Sequence, residues 1–326
     1  MAGVTIREVA AACGVSIGTV SKALNRNERI SEETVERIRK TAEEMGYTGF
    51  AAARLLSSRR RRVAVVLTRD LAGMHGRYLS GIREALPTLS AYGIDCDVFY
   101  YGEDFVPFTE GSVAAYEGIV ALSSLAGRLG SLAKTPLILL RSRSLAAEPI
   151  AEVTPNYRVM GRLGAQFLAF ATAGGEAAVL CGRRGVFSEE ETVRGFREIS
   201  EKLSFPLVGI AECGESPRQA GFELRRLLQA NPRLRGLFVI GVSPSSILPL
   251  IGESKRKITV VSTDFSTDAV EALRTGRLSA LLYPSPERQA TEALLAIKAV
   301  LLGGRADRHI FIRPELVLKS NLECYL

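Results

Sequence analysis

Residues 3–25 read Gly3-Val-Thr-Ile-Arg-Glu-Val-Ala-Ala-Ala-Cys-Gly-Val-Ser-Ile-Gly-Thr-Val-Ser-Lys-Ala-Leu-Asn25. Thr5 is a good N-cap and Glu8 follows three residues later, the spacing of a capping box. Ile6, Val9, Ala10 and Cys13 then recur on one face of an amphipathic helix. Gly14 stops that helix, because glycine turns the backbone there without a Cβ penalty. Ser16 caps a second helix that carries Ile17, Val20, Ala23 and Leu24. Two short helices joined by a tight turn form the helix-turn-helix pattern, whose second helix can enter the DNA major groove. The same spacing also suits an αα-hairpin packed into a larger core, so the rest of the chain has to decide.

Charge placement favours DNA. The formal net charge is +7. Residues 1–62 hold 12 Lys and Arg against 7 Glu, a surplus of five; residues 63–326 hold 30 against 28, a surplus of two. Positive charge gathered in the first fifth of the chain is the electrostatic footprint of a polyanion partner.

The remaining composition bounds the class. A chain of 326 residues has room for two or three domains. The 47% of apolar residues, the few aromatics and the absence of Trp suit an α/β protein. Apolar runs such as Leu137–Leu140 are far too short to span a bilayer. Glu8 lies where a leader would need an uninterrupted apolar core, so the expectation is a cytoplasmic protein without a membrane partner. The five cysteines, Cys13, Cys96, Cys181, Cys213 and Cys324, form no C-x-x-C pair and are expected as buried free thiols. His75 and His309 are the only histidines, which leaves a His-based metal site or nucleophile–base pair without support; no metal and no cofactor are expected.

A third helix is predicted from its Ser31 cap through Glu44, with Val35, Ile38, Ala42 and Met45 as one stripe and Glu32 and Glu33 in its first turn. Three small helices over residues 1–47 make a unit with a thin core. Residues 48–62 follow as a hinge and basic linker. Ala51–Leu56 has helix propensity but is too short to be stable alone, and Arg59–Arg62 is a dense block of charge that either solvates a linker or, as its place beside the helix-turn-helix favours, meets phosphate.

Here the sequence resembles a known family. Val4–Ala10, Gly14-Val15-Ser16, Thr19–Asn25, Ile30–Thr34, Gly46-Tyr47 and Ala53-Arg54-x-Leu56 together are similar to the DNA-binding headpiece of the lac-repressor (LacI/GalR) family of transcription factors. The hinge departs from it, since Gly49-Phe50 stands after Thr48 where that family usually has Pro-Asn after the Tyr.

From Val63 the period changes. Short apolar runs begin at Val63, Ile94, Ile119, Leu137, Ala177, Leu207, Leu237, Ile258 and Leu278, with helical patterns between many of them. Short buried strands alternating with helices predict parallel sheets built from βαβ units. Over residues 63–326 two α/β lobes are expected. The expected fold is thus a small all-α helix-turn-helix headpiece plus a two-lobed α/β domain with parallel sheets. The resemblance extends to that domain, which it identifies as periplasmic-binding-protein-like, with chain crossings placed near residues 153, 283 and 310. A ligand would then lie in the cleft, at the carboxyl ends of the strands.

Residues at the start of the second helix reach base edges in such motifs. Ile17 offers apolar contact to a thymine methyl, Lys22 can donate to guanine O6 and N7, and Gly18 lets the backbone approach closely. Thr5, Ser16, Thr19, Ser21, Asn25 and Ser31 are short side chains suited to phosphate, although Thr5, Ser16 and Ser31 also serve as caps. The resemblance assigns Arg54 and Leu56 to the hinge, with Leu56 as an apolar wedge in the minor groove and Leu55 as the competing candidate.

For the cleft, the resemblance aligns Asp264 with an aspartate that often bonds a sugar hydroxyl. Asn156 stands for the family's usual Asp, Thr192 for its Arg, and Ala72-Gly73-Met74 for its Asn-Pro-Phe. Asp70, His75, Arg141, Tyr157 and Arg183 are further candidates because they follow apparent strands. The implied function is a homodimeric DNA-binding regulator, most simply a repressor of a palindromic operator, controlled by a small molecule such as a sugar. Two rivals are weaker. A solute-binding protein leaves the headpiece unexplained. An α/β enzyme lacks any G-x-x-x-x-G-K-[ST], G-x-G-x-x-G or G-x-S-x-G motif, and Gly252-Glu253-Ser254-Lys255 lacks the phosphate-loop spacing.

Overall fold

A computed structural model describes residues 4–24, 30–45, 47, 60–69, 74–101, 115–129, 135–143, 147–183, 185–214 and 216–326. Asn25, Arg54, Leu56, Asp70 and Ala72 therefore lie outside the described residues, as does the hinge over 48–59.

The N-terminal helices are α1 (Ile6–Cys13), α2 (Ile17–Leu24) and α3 (Glu32–Glu44). Val9, Ala10, Cys13, Val20, Ala23, Leu24, Ile38 and Ala42 are buried together, one short apolar stripe from each helix. Gly14 takes the left-handed conformation (φ 64°) at the end of α1, and Val15 N donates to Ala10 O across it. At the start of α1 the expected capping box of Thr5 and Glu8 is present. The Thr5 amide donates to the Glu8 carboxylate at 2.7 Å, and the Thr5 hydroxyl also donates to that carboxylate, at 2.9 Å. These bonds hold the Glu8 carboxyl below its usual range, the Thr5 amide contributing most.

The remaining chain forms β1 (Arg61–Thr68), α4 (His75–Ser90), β2 (Ile94–Tyr101), β3 (Gly118–Leu122), the short α5 (Ala126–Leu129), β4 (Leu137–Leu140) and β5 (Ala151–Pro155). Then come α6 (Tyr157–Ala171), β6 (Glu176–Cys181), α7 (Phe187–Lys202), β7 (Leu207–Glu212), α8 (Pro217–Ala230), β8 (Leu234–Ile240), α9 (Leu248–Glu253), β9 (Thr259–Ser262), α10 (Thr267–Arg274) and β10 (Ala280–Tyr283). The chain ends with α11 (Pro286–Leu301), β11 (His309–Ile312), β12 (Glu315–Val317) and a 3₁₀ segment, Lys319–Tyr325. Two six-stranded sheets result, in the orders β11-β5-β4-β3-β1-β2 and β12-β10-β9-β8-β6-β7. The second sheet shows why its strands read as unbroken apolar runs. Ala178, Leu180, Leu237 and Val239 enter one core cluster while Ala177, Val179, Phe238 and Ile240 enter another, so both faces are covered.

On one of those faces α6 and α7 pack backbone to backbone. A Cβ on Gly161 would fall 1.9 Å from Thr192 O, and one on Gly195 would fall 1.9 Å from Arg158 O. No residue but glycine fits either position.

The chain passes between sheets three times. Val153 and Ile310 are register partners inside β5 and β11, so the first and third crossings come a few residues later, at 156 and at 313–314. The second follows Tyr283, the last residue of β10.

The structure corrects three local expectations. β1 begins at Arg61, so two arginines of the Arg59–Arg62 run belong to a strand, and Arg60 pairs with Asp95 at 3.3 Å. That pair is exposed and worth little. β5 was not expected, because Ala-Glu-Val-Thr-Pro carries an acid and a proline; Glu152 is buried yet paired with both Arg143 and His309 at 3.1 Å. Cys324 is exposed and Cys96 half-buried, whereas Cys13, Cys181 and Cys213 are buried. Cys324 lies on the seven-residue 3₁₀ segment Lys319–Tyr325, in which Leu322 is the buried residue. No described helix is long and apolar enough to cross a membrane.

Candidate functional site

The outer face of α2 is built by what the three-helix core leaves out. Val20, Ala23 and Leu24 point inward, which leaves Ile17, Gly18 and Lys22 exposed and Ser21 half-buried. Ile17 keeps 44% of its surface open. A Cβ on Gly18 would meet only Ser16 Oγ at 3.6 Å, so nothing inside this unit demands glycine there.

The hydroxyls are engaged locally. Ser16 Oγ accepts from Thr19 N at 3.0 Å and shares a hydrogen bond with Thr19 Oγ1 at 2.8 Å. Ser31 and Thr34 repeat this arrangement at α3, at 3.4 and 2.8 Å. Each pair fixes a helix start while remaining at the surface, where a phosphate oxygen could share its donors.

In the two-lobed region the candidates divide into two groups. Arg141, Tyr157 and Asp264 come together. Arg141 follows β4 with φ 78°, and its carbonyl accepts the Tyr157 hydroxyl. Its guanidinium is close enough to lower the Asp264 carboxyl and the Tyr157 phenol, although burial is the larger effect on both. The Tyr157 phenol ends pushed up to about 12, and the Asp264 carboxyl above its usual range. Arg141 and Asp264 extend from different sheets, so the carboxyl ends of the two sheets face each other. Asp264 makes a tight turn into α10: Oδ1 accepts from Ser266 N at 3.2 Å and Oδ2 from Ser266 Oγ at 2.7 Å. Tyr78, which the sequence reading passed over, belongs here too. Its phenol is buried, donates to Gln289 Oε1 at 3.3 Å, and senses Arg141. Its signal was its place one helical turn after His75.

The other candidates stand apart. Asn156 is spent as the N-cap of α6, where its side chain accepts from Val159 N at 3.1 Å. Thr192 is 1% exposed in the α6–α7 packing and donates to Ser188 O, so it does not replace the missing Arg functionally. His75 stacks obliquely on Tyr100, ring centroids 4.9 Å apart, and its Nε2 is buried without a partner among the described residues.

Arg183 lines a separate cavity of about 330 Å³ with Cys181, Glu189, Arg194 and Arg197. Its amide donates to Glu189 Oε2 at 2.8 Å. Glu189 was not anticipated. Its carboxyl covers Gly182 and Gly241, where a Cβ would come within 2.9 and 2.6 Å of its Oε1. Burial pushes it up to about 7, against the opposing pull of the Arg183 and Gly182 amides. Among the described residues no group of three His, Cys, Asp or Glu side chains could hold a metal ion.

Comparison with known proteins adds to this geometry. Residues 5–49 match the family model of bacterial regulatory proteins, lacI family, and residues 132–305 match the periplasmic binding protein domain. The maltose regulon regulatory protein MalI of Escherichia coli (strain K12) is 27% identical over 242 residues, covering 71% of this chain and 70% of MalI. The HTH-type transcriptional regulator IpsA of Corynebacterium glutamicum is 48% identical over 69 residues, 21% of this chain and 19% of IpsA. Among solved structures, AraP, an arabinose binding protein from Geobacillus stearothermophilus, shares the fold with a TM-score of 0.71 at 15% identity, covering 82% of this chain and 100% of AraP.

Proposed function

The chain belongs to the lacI family of bacterial regulatory proteins, as a DNA-binding transcriptional regulator rather than an enzyme, and on that premise we propose that it is a cytoplasmic repressor. It binds a palindromic operator as a homodimer and is released from it, or fastened to it, by a sugar-class effector in the cleft.

The observation that carries this reading is the exposed Ile17–Gly18–Lys22 face of α2. Ile17 supplies an apolar contact for a thymine methyl, Lys22 donates to guanine, and Gly18 leaves room for the groove wall. Ser21 and the capping hydroxyls of Thr5, Ser16, Thr19 and Ser31 set the register on phosphate. Asn25, Arg54 and Leu56 complete the interface, Leu56 as the wedge at the operator centre. One headpiece reads too few bases for high specificity, so two copies related by a two-fold axis read two half-sites.

In the cleft, Arg141 donates, Asp264 accepts, and the Tyr157 hydroxyl does either, which suits the hydroxyls of a sugar. Asp70 and His75 are further candidates for effector contact, whereas Asn156 is committed to capping α6 and Arg183 to a separate cavity. The likeness to an arabinose binding protein and to a regulator of a maltose regulon supports that ligand class. Effector binding draws the lobes together and changes DNA affinity through the hinge.

Selection of bound sites from random duplex DNA with the full-length protein tests the reading. A palindromic consensus is expected, with affinity that falls steeply as salt rises. Recovery of a single half-site, or no enrichment with Ile17→Ala and wild type behaving alike, overturns it.

A further inference from the structure

The second crossing between the lobes, Tyr283-Pro284-Ser285-Pro286, is held against its local preference. Ser285 takes φ 49° and ψ 64°, the left-handed region, and it precedes a proline. A side chain with a Cβ is disfavoured in that region, and a residue before proline is pushed towards extended backbone. Ser285 is also fully buried, with its hydroxyl unpartnered among the described residues. A residue kept in such a state needs surroundings that over-determine it.

Those surroundings converge on Arg77. It stands on α4, which follows β1 of the first sheet, yet its guanidinium lies 5.1 Å from the ring centres of both Phe265 and Tyr283 of the second lobe. Tyr325, from the 3₁₀ segment, closes a box of three rings: Phe265–Tyr283 at 4.6 Å, Tyr283–Tyr325 at 5.1 Å and Phe265–Tyr325 at 6.4 Å. Arg77 Nη1 donates to the Tyr283 hydroxyl at 2.9 Å, and Nη2 donates to the Tyr325 carbonyl. The Tyr283 hydroxyl in turn donates to Glu287 Oε2 at 2.5 Å, bridging over Ser285. Gln289 Nε2 ties down Pro284 O at 2.8 Å. Stacking on two rings while donating to two oxygens uses the flat, forked guanidinium, which lysine cannot imitate.

We propose that Arg77 is an inter-lobe latch: seated in the Phe265–Tyr283–Tyr325 box, it clamps the strained Tyr283–Pro286 crossing and fixes the angle between the lobes. Phe265 is the neighbour of Asp264, so whatever displaces Asp264 in the cleft also loads the latch. When the latch opens, Ser285 relaxes to extended backbone and turns the crossing.

Hydrogen–deuterium exchange on the full-length protein, without operator or effector, tests the latch independently of the function proposed above. In Arg77→Ala, amides of residues 263–268, 283–289 and 319–326 are expected to exchange about tenfold faster, while α1–α3 and β6–β8 exchange as in wild type. Arg77→Lys, the milder variant should Arg77→Ala not fold, shows the same segments accelerated to a lesser degree. The decisive arm is Arg77→Ala combined with Ser285→Gly. Glycine removes the Cβ share of the cost of the left-handed conformation, so exchange of residues 283–289 should slow towards the wild-type rate. Wild-type exchange in both single Arg77 variants overturns the latch. Failure of Ser285→Gly to slow exchange overturns the strained crossing and leaves Arg77 as an ordinary packing contact.

Discussion

The headpiece and the cleft use polar side chains in opposite ways. In the headpiece, Ser16 with Thr19 and Ser31 with Thr34 are partners three residues apart, and the same hydroxyls cap helices and stand at the surface proposed to meet DNA. In the cleft, Arg141, Tyr157 and Asp264 come from segments more than a hundred residues apart at the extremes, brought together by two sheets facing each other. A local site tolerates a thin core because little has to be aligned. A distributed site needs each lobe rigid and only the angle between them free, and the backbone-to-backbone packing of α6 on α7 supplies that rigidity.

This contrast can be broken or sharpened by four substitutions. The largest effect is expected from Leu24→Ala, which removes a buried side chain from the small headpiece core. A loss of about 3 to 4 kcal/mol is expected, enough to unfold α1–α3. Circular dichroism and DNA binding should report a lost headpiece, while the main thermal transition of the lobes stays in place. Loss of the lobe transition as well would mean that the two regions fold as one.

Next comes Gly195→Ala. The added Cβ meets the Arg158 carbonyl, so α6 and α7 must part. Overpacking of this kind costs about 2 to 3 kcal/mol. The chemical-denaturation midpoint of the lobes should fall and operator binding by the headpiece persist at low temperature.

A smaller, pH-dependent effect is expected at Glu189. An acid whose folded pKa stands above its unfolded value costs stability as pH rises: nothing below about 4.5, the full penalty above about 7. After allowance for solvent screening of a half-buried group, the penalty is about 1 kcal/mol. Glu189→Gln should therefore melt higher than wild type at pH 8 and alike at pH 4.5. Equal melting at both values would show that the carboxylate stays ionised over Gly182 and Gly241.

The smallest effect in stability is expected from Gly18→Ala. With space for the methyl and better helix propensity, α2 gains up to about 1 kcal/mol. The same methyl stands on the face proposed to enter the major groove, so affinity for the selected operator should fall although the protein is more stable. A variant that is stabilised and binds unchanged would move the DNA contact away from Gly18.

Much of this was legible before any coordinates. Thr5, Gly14, Ser16 and Ser31 punctuate the headpiece through interactions spanning three or four residues, and such interactions are written along the chain. The unbroken apolar runs of β6 and β8 announced strands covered on both faces. β5 is not legible from its own residues, because the acid Glu152 is buried only through partners, Arg143 and His309, from other segments. Thr192 looked like a lost cleft residue; its place in the α6–α7 packing follows from Gly161 and Gly195, which nothing local connects.

The sequence by itself determined the helix-turn-helix, its capping chemistry and the alternation of strands and helices, since each depends on neighbours in the chain or on a fixed period of burial. Only the tertiary structure decided which cleft candidates meet, that Glu189 rather than Arg183 covers the strand ends, and that Arg77 of one lobe sits among three rings of the other. Those outcomes depend on how two sheets are placed against each other, and that placement is set by side-chain volume and charge summed over both lobes, a quantity no single stretch of sequence carries.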